Sequence, residues 1–193
     1  MRASEAKRVT KETDVFVSLG IDGAGKSEIS TGIGFFDHML TALAMHGGFD
    51  LVVRVTGDLE VDCHHTIEDT AIVLGDVFAA CIGDKKGINR YGSAFVPMDE
   101  ALGFISLDIS GRPFLVFDAS FTSDKIGEFD TQMVVEFFRA FAFHAGITLH
   151  AKVPYGANDH NKAEALFKAL GQSLKQAAAV NGGGLLSTKG VLD

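Results

Sequence analysis

Two stretches of this chain are variants of one another, and that repetition limits its possible folds more than any other feature. His38-MLTALAM-His46-GGFDLVVRV and Glu136-FFRAFAF-His144-AGITLHAKV align without a gap at an offset of 98. Each reads as an amphipathic helix, a turn at glycine, and an alternating strand. Further along, His64-His65-TI-Glu68-DTAIVLG aligns with His160-Asn161-KA-Glu164-ALFKALG at an offset of 96. Upstream, Val17-SLGIDG matches Ile105-SLDISG at an offset of 88. The repeating unit therefore runs strand, hairpin, strand, helix, strand, second helix. This pattern predicts an α+β fold: a small β-sheet with helices on one face, made twice, the two halves packed together. The halves are expected over 1–90 and 91–180, with a glycine-rich closing segment, 181–193, expected to be flexible. The longest helical stretches are expected near 66–82, 129–145 and 162–180.

The repeat also decides how to read Gly20-Ile21-Asp22-Gly23-Ala24-Gly25-Lys26-Ser27. By letters alone it fits the phosphate-cradling loop of a nucleotide kinase, which needs a helix to start at the lysine. The residues from Ser27 onward, SEISTGIGFF, are rich in β-branched side chains and glycine and read as a strand. The second copy lacks Gly-Lys-Ser and continues into the strand-like RPFLVFDASF. A hairpin turn is the better reading.

Composition excludes other classes. Over 193 residues, 17 basic and 25 acidic side chains leave a net charge of −8, which argues against a nucleic-acid or membrane-surface partner. Apolar residues at 47% and charged ones at 22% are globular values. No uncharged apolar run approaches the roughly 20 residues of a membrane span, and no secretory signal is visible behind MRASEAKRVTKETD. Cys63 and Cys81 make no disulfide framework, so a cytoplasmic location is expected.

Most of the chemistry lies at the two aligned helix starts. His64 and Glu68 are four residues apart, as are His160 and Glu164, so each pair shares a helix face able to grip a divalent ion. His65 is turned about 100° from His64 on a helix, so two separate metal sites are expected. His38 and Glu136, equivalent in the repeat, are the candidates to complete them. Nitrogen and carboxylate ligands suit manganese, iron or zinc and disfavour calcium. The competing reading is that His64 and His65 cap a helix while His46 and His144 sit near C-terminal dipoles. Recurrence of the His-Glu pair at one place in a repeat favours the ligands.

At these residues the sequence resembles the imidazoleglycerol-phosphate dehydratases of histidine biosynthesis. RVTKET, GIGFFDHMLTALAMHGGFDL, GDLEVDCHHTIEDTAIVLG, GINRYGSAFVPMDEAL, LDISGRPFLVFD, FDTQMVVEFFRAF, NDHNKAEALFKALGQSLKQA and STKGVL carry the resemblance, in order, from Arg8 to Leu192. It implies dehydration of imidazole glycerol phosphate to imidazole acetol phosphate with two manganese ions per active site. His38, His65, His160 and Glu164 are implied as ligands of one ion; His64, Glu68, Glu136 and Asn161 as ligands of the other. Glu12 is implied as the acid/base that contacts substrate. His46 is implied to line the substrate pocket together with ligands His38, His64, Glu68 and His160. Arg90, Arg112, Lys168, Ser187, Thr188 and Lys189 are implied to grip the phosphate, and cations with hydroxyls near a tail are a sensible clamp. The hydrogen to be removed has no adjacent carbonyl, so Lewis acids at the imidazole nitrogens would ease its loss. The resemblance further implies a homo-oligomeric shell, typically a 24-mer, with active sites between subunits.

Two positions depart from the family pattern, which commonly has histidine where Glu136 and Asn161 stand here. The second shell thus becomes one histidine, two carboxylates and an amide, a harder set that favours manganese or magnesium over zinc and is expected to bind more weakly. His144 is also unusual for the family. Two rival readings are kept beside the dehydratase: the nucleotide kinase and a metal-stabilised structural oligomer without catalysis.

Overall fold

The computed structural model of the chain describes residues 1–190 and 192. Strands β1 (Ala3–Val9), β2 (Thr13–Gly20) and β3 (Ser27–Ser30) are followed by helix α1 (Gly34–Gly47), β4 (Asp50–Gly57) and helix α2 (His64–Ile82). The second half repeats this order with β5 (Tyr91–Met98), β6 (Ala101–Asp108) and β7 (Phe114–Asp118). A short hairpin, β8 (Lys125–Ile126) and β9 (Phe129–Asp130), then precedes α3 (Met133–Ala145), β10 (Thr148–Tyr155) and α4 (Asp159–Ala178).

The two four-stranded sheets have matching orders, β1-β2-β4-β3 and β5-β6-β10-β7, and in each only the last pair is parallel. Even the register is repeated, for Ser27 pairs with Leu51 as Leu115 pairs with Leu149. The fold is therefore the expected duplicated α+β arrangement. The offset of 88 holds through β7 and becomes 98 by α3, and the extra residues belong to the segment carrying the β8–β9 hairpin. That hairpin is why α3 begins at Met133 rather than near 129. Helix α2 starts at His64, whose backbone N–H donates to Asp62 Oδ1 at 2.7 Å. Helix α4 starts at Asp159 because the Asn158 side chain accepts the N–H groups of His160 and Asn161.

Strand alternation explains which side of each sheet is covered. Val15, Val17 and Leu19 of β2 are buried, as are their neighbours Leu51 and Val53 of β4. In the second sheet Ile105 and Leu107 of β6 and Leu149 and Ala151 of β10 do the same. Both apolar faces and all four helices contribute to a single core cluster. Within it Phe137 meets Phe36 at 5.7 Å and Phe167 at 4.8 Å between ring centroids, joining α3 to helices of both halves.

The helices of the two halves dock on one another through a pair of glycines. A Cβ on Gly75 of α2 would lie 2.9 Å from Phe141 O and from Ala145 N of α3. A Cβ on Gly171 of α4 would lie 2.5 Å from Leu43 O and 2.9 Å from Gly47 N of α1. These are equivalent positions of the repeat, so each half's second helix crosses the other half's first helix at its closest point.

Gly25, at φ +84°, turns the chain between β2 and β3, and Ser27 opens a strand. The N–H groups of Ala24 and Lys26 donate to Asp50 Oδ1, which places a carboxylate where a phosphate loop would keep its anion. The closing segment is fastened at its start: Val180 bridges to Ile88, and Asn181 N–H donates to Gly87 O. Val191 and Asp193 lie outside the described residues. No described helix is long and apolar enough to cross a membrane.

Candidate functional site

The crossing of α1 and α4 brings a nitrogen-and-carboxylate cluster together. His38 stands in the second turn of α1, and His160 and Glu164 share one face of the first turns of α4. Glu164 Oε2 lies 3.1 Å from His160 Nε2 and 3.4 Å from His38 Nε2. Among the described residues this is the one group of three or more histidine, cysteine or acidic side chains whose donor atoms all lie within 4.8 Å of one another. The Glu164 side chain is only 8% exposed. Burial alone would raise its carboxyl pKa, but the Lys168 ammonium at 2.7 Å and His38 outweigh that and hold it below the usual range. His46, in the last turn of α1, is pushed below its ordinary value by burial and then by the Lys168 charge. Phe35 packs edge-on against His160 at 5.0 Å and against Phe129 of the inserted hairpin at 5.3 Å, bracing the cluster from one side.

A second group forms where α2 begins. His65 Nδ1 lies 3.0 Å from Asp58 Oδ2, and its Nε2 lies 3.8 Å from Glu12 Oε2. The hydrogen bond that His65 Nδ1 donates to the Asp58 carboxylate raises the His65 pKa. Glu12 is 54% exposed, in a turn knit by Thr10 Oγ1, which accepts the N–H groups of Glu12 and Thr13. Asp69, one turn along α2, anchors the turn by accepting from Thr13 Oγ1 and from Arg8 Nε. On the same helix His64 Nε2 lies 3.7 Å from Glu68 Oε2, and the His64 and His65 rings point apart, their centroids 6.1 Å from each other. Three of the four residues implied for one ion thus meet, while His65 stands with Glu12 instead.

The third group is basic. Arg90, Arg112, Ser187, Thr188 and Lys189 line one open cavity of about 630 Å³. Arg90 has a left-handed backbone, φ +72°, unusual for a side-chain-bearing residue and held by its N–H to Ala177 O. Its guanidinium grips Asp108 with two hydrogen bonds, 2.6 and 2.8 Å, and donates a third to Leu186 O, tying the closing segment down beside the cavity. Lys168 is not part of this cavity and serves the His38–His160–Glu164 cluster.

The family pattern of imidazoleglycerol-phosphate dehydratase matches residues 31–174. A dehydratase of that name from Acetivibrio thermocellus is 56% identical over 193 residues, covering 99% of each chain. One from Streptococcus thermophilus is 55% identical over the whole of both. The crystal structure of the Staphylococcus aureus dehydratase superposes with a TM-score of 0.84 at 40% identity, over 92% of this chain and 99% of that one. The Pyrococcus furiosus structure gives 0.85 at 37% identity, over 97% and 100%. This chain belongs to the imidazoleglycerol-phosphate dehydratase family.

Glu136, Asn161 and His144 have partners of their own. Glu136 accepts two hydrogen bonds from Arg139 Nη1, 2.6 and 2.7 Å. Asn161 donates its amide to Glu100 Oε2 at 2.8 Å. His144 Nδ1 lies 2.9 Å from Asp76 Oδ1, linking α3 to α2 beside the Gly75 crossing. Three residues around the clusters carried no distinct signal in the sequence: Asp58 behind His65, Asp69 behind the Glu12 turn, and Glu100 behind Asn161. Asp69 directly follows Glu68 in the repeated helix start, which was the available hint; the other two reach their partners only through tertiary contact.

Proposed function

We propose that the chain dehydrates imidazole glycerol phosphate to imidazole acetol phosphate and water, with two manganese ions per active site. The observation that carries this is the His38–His160–Glu164 cluster in a chain of this family. Two imidazole nitrogens and a buried carboxylate oxygen so close together make a donor set that fits a divalent transition ion. His65 would complete that shell, and His64, Glu68, Glu136 and Asn161 would hold the second ion. When bound, the ions supply Lewis acidity at the substrate's imidazole nitrogens.

The side chains divide the remaining work. Glu12 moves the protons, and its exposed position leaves its carboxylate free to meet a substrate. Asp58 and Asp69 keep His65 and the Glu12 turn in place. Arg90, Arg112, Lys168, Ser187, Thr188 and Lys189 take the phosphate, and Arg90 also secures the segment that carries the last three. Lys168 holds Glu164 in its anionic form, as a carboxylate ligand requires, and His46 lines the same pocket.

The two ligand sets are brought together between subunits of a homo-oligomeric shell, a 24-mer in the proposed assembly. An exposed apolar surface supports self-association: Phe114 and Phe143, 59% and 52% exposed, edge an open cavity of about 630 Å³ also lined by Phe117, Phe121 and Val135. The enzyme would work in the cytoplasm. The test is dehydration of the phosphate ester by purified protein, stripped by chelator and then resupplied with manganese. Activity that vanishes and returns, with two ions per chain by elemental analysis, supports the proposal; a stripped protein that turns over at full rate overturns it.

A further inference from the structure

Glu100 lies in the β5–β6 hairpin turn and reaches across to the start of α4. Its Oε1 accepts the N–H groups of Ala157 and Asn158, at 3.0 and 2.7 Å, and its Oε2 accepts Asn161 Nδ2 at 2.8 Å. Three N–H groups converge on this carboxylate, which at neutral pH only accepts. An amide facing such a carboxylate has no choice of orientation. Its NH2 must point inward and its oxygen outward. Among the described residues no donor is bonded to that oxygen.

We propose that Glu100 is a positioning residue that fixes the Asn161 amide with its oxygen presented as a hard ligand to the second ion. This rests on the reading of Asn161 as a ligand, and it explains how a neutral amide serves where its orientation would otherwise be free. An ion needs an oxygen lone pair, and an amide turned the other way offers only N–H groups. Partners that orient ligands in this way typically change metal affinity by 10–100-fold.

The decisive variant is Glu100→Gln. Two backbone N–H groups keep the glutamine oxygen where Oε1 is now, which leaves its NH2 facing Asn161 and forces the Asn161 amide to flip. Manganese titration of the chelator-stripped, full-length protein by calorimetry is expected to show one of the two ions weakened at least about tenfold, the other unchanged. Adding Asn161→Asp to that variant restores an acceptor towards the glutamine and an outward oxygen, so binding is expected to return. A Glu100→Gln protein that binds both ions like wild type, or a double variant that stays weak, overturns the proposal. Asn161→Ala separates the two readings. If it leaves both ions untouched, Asn161 is no ligand and the proposal falls with that reading. If it weakens one ion while Glu100→Gln does not, the ligand stands and Glu100 has no orienting role.

Discussion

Asp58 holds Nδ1 of His65 at 3.0 Å, which leaves the Nε2 of the same ring turned towards Glu12. A carboxylate on one imidazole nitrogen selects the tautomer whose other nitrogen carries the free lone pair. Asp58→Asn removes the charge that raises the His65 pKa, so the ring in metal-free protein should titrate lower, towards 6.5, as read by NMR. The wild-type pair stabilises the metal-free fold fully below about 6.5, and that contribution is lost as pH rises through the raised value. Urea midpoints of wild type and variant should therefore differ in acid and converge in base. Turnover should drop by about 10–100-fold; unchanged turnover would remove Asp58 from the machinery.

Glu12→Gln keeps the shape of the turn and removes its proton carrier. Turnover is expected to fall by about 10²–10⁴. Metal content and the size of the assembly, by elemental analysis and light scattering, should stay at wild-type values. A fully active variant would reopen the non-catalytic reading of the metal cluster.

Asn161→His replaces a neutral oxygen with an imidazole nitrogen. Affinity for the more weakly held manganese ion should rise by at least about tenfold, and zinc should gain more than manganese because nitrogen ligands suit it better. Titrations in which neither metal binds more tightly would place Asn161 outside the shell.

Asp159 is fixed by the Lys162 ammonium at 2.8 Å and by Thr122 and Ser123 of the inserted segment. Burial would raise its pKa, yet these partners bring it to about 2 from the ordinary 3.8. A lowered carboxylate stabilises the fold above 3.8 and loses that contribution as pH falls through 2. The shift corresponds to about 2 kcal/mol. Asp159→Asn should therefore melt some 4–8 °C lower at neutral pH. The gap should close in acid, and a gap independent of pH would contradict the assignment.

Gly75→Ala and Gly171→Ala should behave as a matched pair. Each methyl meets backbone atoms of the crossing helix at 2.5–2.9 Å, where nothing flexible can yield. The roughly 1 kcal/mol gained in helix propensity is outweighed by overpacking of about 1–3 kcal/mol or more. Chemical denaturation should show both variants destabilised. Gly171→Ala should also loosen manganese binding, since it separates α1 from α4 and hence His38 from Glu164.

The duplication was readable because aligned glycines, alternating valines and the two His-x-x-x-Glu helix starts survive in both copies. It led to the succession of strands and helices along each half and to the dismissal of Gly25-Lys26-Ser27 as a nucleotide loop. Recognition of His160, Glu164 and His38 as ligand candidates came from the same alignment, since spacing four on a helix is a local property. The features that stayed hidden depend on contacts between distant segments. Asp58, Asp69 and Glu100 look like ordinary acidic residues until the fold sets them behind His65, Thr13 and Asn161. The β8–β9 hairpin was hidden for another reason: Phe129 and Asp130 continue the apolar rhythm of α3, and only pairing with Lys125–Ile126 shows that they are a strand.

The reciprocal crossing at Gly75 and Gly171 bears on where such a chain comes from. Since each half closes the other's helices in the same way, a lone half would carry a surface complementary to itself, and two such halves would associate about a two-fold axis. A fused chain of this kind is a homodimer made permanent. Fusion frees association from concentration and, more consequentially, from identity. Once both copies lie in one gene, His64-His65 can persist at one helix start while the other drifts to His160-Asn161, giving one polypeptide two chemically unlike helix starts.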